Sequence, residues 1–414
     1  MKNILLICSA LLMITSCRDK VIHQHMANVP IYEDYESFRS SIAFEGVRAI
    51  ENQMGIYSYN QYLFVVEENE GIHFIDNSNP SSPNKLGFLN VRGCTGMAIK
   101  NNKLYVNNLI DIAVIDVANI QQPTVIARLE DVFPQNYPLG EAGHYYQKPD
   151  PEKGVVIGWE IQEVKEEVEN SPYYYGNLYQ MDNVSVANES IATGGASGSS
   201  VAGSITKFAL NNDHLYVMND FNLHAINISN PMNLTQGEPV RIWRTVETLF
   251  PYDNHLYMGT TTGMMIYSLA NPESPEHQGT IVHTTACDPV VVQGDYAYVT
   301  IRSGTTCMGE INQLDVVDVS NPANPILKSS FSLTNPHGLG VNGDVLYVCD
   351  GSDGLKVFDN TDPLVVGDHL TQSFSTIQAI DIIPLGNLAI VLTEDGVYQY
   401  DCTDVQNIQY LSQI

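Results

Sequence analysis

Arg302 is the side chain best suited to anion recognition, because its planar guanidinium can take a carboxylate in a bidentate fork. Asp288, His337, Asp350, Asp353, Glu394 and Asp395 add polar and acidic groups in the last third of the 414-residue chain. Together these seven are the candidate ligand-binding set. Asp350-Gly351-Ser352-Asp353-Gly354 has the acidic spacing of a calcium loop's opening, but the downstream Glu such a loop needs is missing. Calcium is therefore the weakest expectation, and no metal site or cofactor is assigned. The sequence has no GxSxG elbow, no HExxH pair, no phosphate-cradling Gly-Lys-Ser/Thr loop and no GxGxxG after a strand. His144, His214, His255, His277, His283 and His337 are scattered, with no i, i+4 pair.

Those residues must be positioned by a repeat. Two apolar residues, a polar one and a following Asn or Asp, often with Pro, recur at Asp76, Asp116, Asn227, Ser268, Asp318, Asp359 and Asp401. An aromatic in a second apolar run precedes each: Phe64, Tyr105, Tyr216, Tyr257, Tyr298 and Tyr347, with Ile390 in the last copy. The offsets are 12, 11, 11, 11, 20, 12 and 11 residues. Asn101-Asn102, Gly294-Asp295, Gly343-Asp344 and Gly386-Asn387 sit where a hairpin requires positive φ. Four short strands every ~41 residues is the propeller-blade signature. The fold class is all-β, a seven-bladed β-propeller of four-stranded blades. His214 and His255 occupy equivalent positions in successive repeats, which marks them as structural.

Successive motif residues are 40, 111, 41, 50, 41 and 42 residues apart. The 111 hides an insertion of about 70 residues between blades 2 and 3; the 50 hides a nine-residue enlargement within 301–311, between strands two and three of blade 5. In a four-stranded meander both loop types emerge on one face, where the candidate set above also gathers around the channel mouth. That is the default binding surface of a rigid scaffold. The competing reading is that such mouths are polar simply because strand ends and solvated loops meet there. In the insertion Val155, Ile157, Trp159 and Ile161 alternate like a half-buried strand. Trp159 and the surrounding tyrosines suit a lid for a carbohydrate or peptide, or else an excursion packing on the propeller. Cys287 and Cys307 both fall at blade 5 and are the candidate disulfide, with Cys349 the rival partner.

The repeat resembles the LVIVD-repeat family of bacterial surface propellers, whose unit carries this apolar-apolar-Asp…Asn-Pro core. Ala286-Cys287-Asp288-Pro289-Val290-Val291 and Asn335-Pro336-His337-Gly338-Leu339-Gly340 are similar to stretches of LVIVD-repeat lipoproteins. The copies at Asn227 and Ser268 lack the Asp, and those at Asp116 and Asp401 lack the adjacent Pro. The resemblance implies a propeller and carries over no catalytic residues.

At the N-terminus, Ile4 to Ile14 is an apolar run too short to span a bilayer but suited to a signal peptide. Ile14-Thr15-Ser16-Cys17 resembles a bacterial lipobox, which implies lipidation of Cys17 and removal of residues 1–16. Arg18 in place of Asp leaves no inner-membrane retention signal, so an outer-membrane lipoprotein is expected, its membrane contact through lipid alone. The expected organisation is signal 1–16, lipidated Cys and tether 17–37, blades 1–2 over 38–129, insertion 130–203, and blades 3–7 over 204–414.

The chain has 47 acidic and 19 basic residues, net −28, and residues 130–203 alone contribute −9. That balance excludes nucleic-acid binding through a basic footprint. The functional expectation is a lipid-anchored envelope protein that binds a protein or glycan partner without turning it over. The alternative is a lyase or hydrolase acting on extracellular polymer, its site assembled at the channel mouth under the insertion.

Overall fold

Each blade begins with a hairpin that only certain residues can turn. Asn101 and Asn102 (φ 50° and 58°), Gly294 (60°), Gly343 (58°) and Gly386 (57°) hold the left-handed conformations that their positions require. The motif residue then closes the next turn. Asp76, Asp116, Asn227, Ser268, Asp318, Asp359 and Asp401 each accept the backbone N–H two residues on, at 2.8–3.2 Å. Ser268 serves with its hydroxyl where the Asp is absent.

In this computed structural model, residues 21–168, 178–179, 201–282, 289–303 and 311–414 are described. They fall into two compact units, one from residues 1–40 and 137–184, the other from 41–136 and 185–414.

The second unit is the propeller. The innermost strands of blades 1 to 7 are Gln53–Tyr59, Met97–Lys100, Phe208–Asn211, Val246–Tyr252, Val290–Gln293, Leu339–Asn342 and Ala379–Leu385. Each leads an antiparallel meander, and in blade 3 the fourth strand is split into Thr235–Gln236 and Val240–Arg241. Blade 1 is widened by Ala43–Glu45 outside its fourth strand and by Val201–Ala202 beside its first. Second and third strands are buried on both faces because neighbouring blades cover both. Outer strands are wet, as in Ile326–Ser332. Apolar clusters fill the spaces between blades around the circuit, and Ile56, Leu63, Val65, Ile383, Ile390 and Leu392 join blade 7 to blade 1.

Ring closure uses polar bonds as well. Gln399 of blade 7, fully buried, donates to Asn77 Oδ1 (2.8 Å), and Asn77 Nδ2 returns a bond to Gln399 Oε1 (2.7 Å). Gln53 Nε2 of blade 1 donates to the carbonyls of Thr393 (2.8 Å) and Glu394 (2.9 Å).

The other unit departs from expectation. The polarity of residues 18–35 predicts a tether, yet Val21–Glu33 is a strand of 13 residues. It pairs antiparallel with Val155–Val168, from Val21 opposite Val168 to Glu33 opposite Val155. Tyr145–Gln147 adds in parallel at Ala27 and Asn28, and Leu178–Tyr179 follows. Buried Asn28 fastens the assembly, donating to Glu141 O (3.0 Å) and accepting from Glu141 N (2.9 Å). The expected strand at Val155, Ile157, Trp159 and Ile161 is present, with a partner strand from the N-terminal segment. The first and last parts of the expected 130–203 insertion, residues 130–136 and 201–203, pack with the propeller unit. Among the described residues no helix is long and apolar enough to cross a membrane.

The reciprocal amide pair gives a direct test of closure. Gln399→Ala removes both bonds and leaves Asn77 partly unsatisfied, so urea denaturation should show a loss of about 2 kcal/mol. Unchanged stability would mean the apolar cluster closes the ring unaided.

Candidate functional site

The centre of the propeller is occupied by its own chain. Val201 and Ala202 pair with Ser58 and Tyr57 on the innermost strand of blade 1. Ser204 then donates its backbone N–H and its hydroxyl to Asp381 Oδ1 of blade 7, both at 2.9 Å. The same hydroxyl accepts from Leu339 N of blade 6 (2.7 Å), and Thr206 O accepts from Leu249 N of blade 4 (2.6 Å). Blades 7 and 1 lie across the ring from blade 4, so residues 201–206 cross its middle. Residues 203–206 are all buried. Gly203 and Gly338 are required here, because a Cβ on either would collide with the Asp381 carboxyl.

Asp381 has no exposed surface, and its Oδ2 has no hydrogen-bond partner among the described residues. Burial pushes its pKa up to about 6, against the lowering effect of the Ser204 and Ile382 amides. The sequence reading missed this residue. The available signal was a lone carboxylate inside an apolar run, Ile380-Asp381-Ile382-Ile383.

Beside this core, the loop between strands two and three of blade 5 meets the connection into blade 6. Arg302 Nη1 lies 2.6 Å from His337 Nδ1 and 3.2 Å from Nε2. Burial, reinforced by the Arg302 charge, pushes His337 down to about 3, so the ring is neutral and can accept from the guanidinium. Asn335 Nδ2 is 3.2 Å from His337 Nε2. Thr300 Oγ1 and Cys349 O fix the His337 backbone at 2.6 and 2.7 Å. Asp350 is fully buried, accepting from Thr334 N (3.1 Å), Asn335 N (2.7 Å) and Lys356 Nζ. Asp353 accepts from Thr334 Oγ1 and from Lys356 Nζ (3.3 Å), which hold its carboxyl below the usual range.

Four of the candidate residues, Arg302, His337, Asp350 and Asp353, therefore join one network through Thr334 and Asn335. In the calcium-like segment the Lys356 ammonium stands between the two carboxylates, an arrangement that does not suit a cation. Among the described residues no group of three His, Cys, Asp or Glu could hold a metal. Asp395 serves its own turn, accepting from Thr393 Oγ1 (2.7 Å) and Tyr398 OH (2.9 Å), while Glu394 is exposed. Trp159 is in the other unit, where its Nε1 donates to Pro138 O (2.6 Å) and its ring meets Tyr146 edge-on at 4.8 Å. Asp288, Cys287, Cys307 and Cys17 lie outside the described residues. Cys349, the rival disulfide partner, is a buried free thiol.

The LVIVD repeat model matches residues 53–90 and 285–332, the first spanning blade 1 and the second blade 5. The chain carries LVIVD repeats. No curated protein matches this LVIVD-repeat propeller by sequence. Among solved structures it is similar to the computationally designed Ika8 protein, with TM-score 0.50 and 10% identity over 90% of this chain and 92% of that one. PorZ, a surface component of the type-IX secretion system of Porphyromonas gingivalis, gives TM-score 0.48 and 11% identity over 90% of this chain and 39% of PorZ. BamB from Moraxella catarrhalis gives 0.45 and 10% over 92% and 97%. At such identities the likeness concerns the β-propeller fold alone.

The buried carboxyl makes a pH prediction for the LVIVD-repeat propeller. Because Asp381 holds its proton more tightly folded than unfolded, its favourable contribution is complete below pH ~4 and is lost as pH rises through about 6. The full loss is of order 3 kcal/mol, at about 1.4 kcal/mol per pKa unit. Asp381→Asn should lack this decline, so its stability relative to wild type rises between pH 4 and pH 8. Parallel pH profiles of the two proteins in urea would refute the assignment.

Proposed function

We propose that this protein is a lipid-anchored envelope propeller that binds a protein or glycan partner through its loop-bearing rim, without turning it over. The observation that carries this reading is the occupation of the ring's centre by residues 201–206. With the axis filled and Asp381 sealed beneath Ser204, a partner meets the rim loops. At that rim Asp350 and Asp353 share the Lys356 ammonium, whereas Arg302 lies against a neutral histidine. Among the described residues its guanidinium meets no carboxylate, and its fork suits one supplied by a partner. The anchor in this proposal is lipid on Cys17, with residues 1–16 removed and the protein held at the outer membrane.

The mature, lipidated chain bearing a C-terminal tag should capture its partner from cross-linked envelopes, with Arg302→Ala reducing recovery about tenfold for loss of a charge-assisted pair. Cys17→Ser should move the protein from the detergent phase to the aqueous phase on Triton X-114 partition. The reading falls if the purified protein depolymerises an envelope polysaccharide and Arg302→Ala or His337→Ala abolishes that activity.

A further inference from the structure

Blade 3 displays a group of side chains that neither the repeat nor the central plug accounts for. Trp243, one of two tryptophans in the chain, is 84% exposed, and Phe221 is 40% exposed. Between them the Arg241 guanidinium carbon lies 5.1 Å from the Phe221 ring centre and 5.4 Å from that of Trp243. An aromatic side chain carries roughly 150–250 Å² of surface, and two of them flanking one guanidinium make a contiguous patch rather than singly scattered surface residues.

The display is rigid. Arg241 is paired in register with Asn222, and Val240 with Leu223. Ile242 is fully buried and donates its N–H to Phe221 O at 2.7 Å. On the other side of Trp243, Arg244 Nη1 donates to Thr262 O (3.1 Å) and to the Thr262 hydroxyl. The tryptophan thus stands between two anchored neighbours at the end of the blade where the strand-two/strand-three turn meets the connection into blade 4.

Charge narrows the partner. Arg48, Lys100, Lys103, Arg128, Lys328 and Lys356 each pair with a carboxylate. Among the described residues Arg241 and Arg244 pair with none, in a chain where acids outnumber bases 47 to 19. The group is therefore a positive, aromatic spot on an acidic molecule, and its complement is an anionic group attached to an apolar face. Two rings and one guanidinium are far smaller than the roughly 800 Å² per partner of a stable protein interface. They match one sugar ring. The −28 net charge disfavours a densely charged polyanion.

We propose that Trp243, Arg241 and Phe221 form a binding site for a carboxylated sugar of an envelope or extracellular glycan. The pyranose ring stacks its C–H face on Trp243, and the sugar carboxylate takes the Arg241 fork, which the two rings hold in place by cation–π contact. Pre-positioning lowers the entropy lost on binding. The proposal rests on the reading of this protein as a binder and adds a ligand class and a second location.

Isothermal titration of the full mature chain with tetragalacturonate and with sialyllactose tests it, against neutral galactotetraose and lactose. At least one carboxylated probe should bind ten or more times more tightly than its neutral counterpart. Trp243→Ala, a surface change that leaves the thermal midpoint in place, should abolish binding; Arg241→Gln should reduce affinity to that of the neutral sugar. No binding of either acidic probe, equal binding of acidic and neutral probes, or binding that survives Trp243→Ala overturns the proposal. So does a hexaglutamate peptide binding as tightly as the sugars, since the site would then read acidic protein segments. If Arg302-dependent partner capture persists while the sugars fail, this site alone is lost; sugar binding without capture removes the other reading.

Discussion

Seven innermost strands converging on an axis leave backbone and side-chain groups that must be satisfied or solvated. The rest of this propeller depends on how that requirement is met. Ser204 meets it by bridging two blades at once, donating to Asp381 of blade 7 and accepting from Leu339 of blade 6. The arrangement tolerates no Cβ at Gly203 or Gly338, so the plug and both blades are fitted to one another. A carboxyl sealed in this way is more easily kept neutral than charged. The raised pKa of Asp381 is thus a consequence of using a carboxyl as the central acceptor.

Outside the plug, the repeat supplies its own staples. In blades 3 and 5 the tyrosine of the second strand reaches the motif turn of the following blade: Tyr216 OH donates to Pro272 O (2.9 Å), and Tyr298 OH to Asn360 Oδ1 (2.9 Å). Burial raises the pKa of both phenols, in keeping with hydroxyls retained as donors. Blade 7 has Ile390 at this position and, like blade 1 with Phe64, has no hydroxyl to make the bond. Gln399, one strand further out, reaches Asn77 of blade 1 instead. The one copy that breaks the aromatic pattern is the copy that must close the ring, and its different chemistry serves that closure.

Much of the fold was legible because turn chemistry is local. Positive φ at Asn101, Asn102 and Gly294 and the acceptor at each motif position follow from residue type alone, so counting motifs counted blades. The N-terminal strand was not legible for the converse reason. His23, Gln24, His25 and Asn28 make residues 21–33 locally polar, and their partner lies some 130 residues away in a segment that itself looked like an isolated strand. At the candidate site, strand-end position groups Arg302, His337, Asp350 and Asp353, and hydrogen bonds through Thr334 and Asn335 link them. Their partners decide what they do, and Lys356, three residues beyond Asp353, carries no sequence mark that two carboxylates share it. Asp381 was overlooked because an innermost strand reads as core, and the segment that covers it, Gly203-Ser204, reads as the tail of a linker.

The ionic economy of the rim follows from the same burial. In blade 1, Glu67 is almost wholly buried, and burial pushes its carboxyl up. The Glu51 amide, Arg48 and His73 together pull it below the ordinary value. In blade 2, Arg128 reaches Asp111 and Asn108 in the equivalent place, and in blade 6 Lys356 joins Asp350 and Asp353. A like device thus recurs at strand ends in three blades, because an unpaired charge there would face half-dry surroundings at high cost. Blades 3 and 5 break the pattern: Arg241 lies between two rings, and Arg302 lies against a neutral imidazole. Where neighbouring blades set a carboxylate beside such a cation, among the described residues neither Arg302 nor the exposed Arg241 has one.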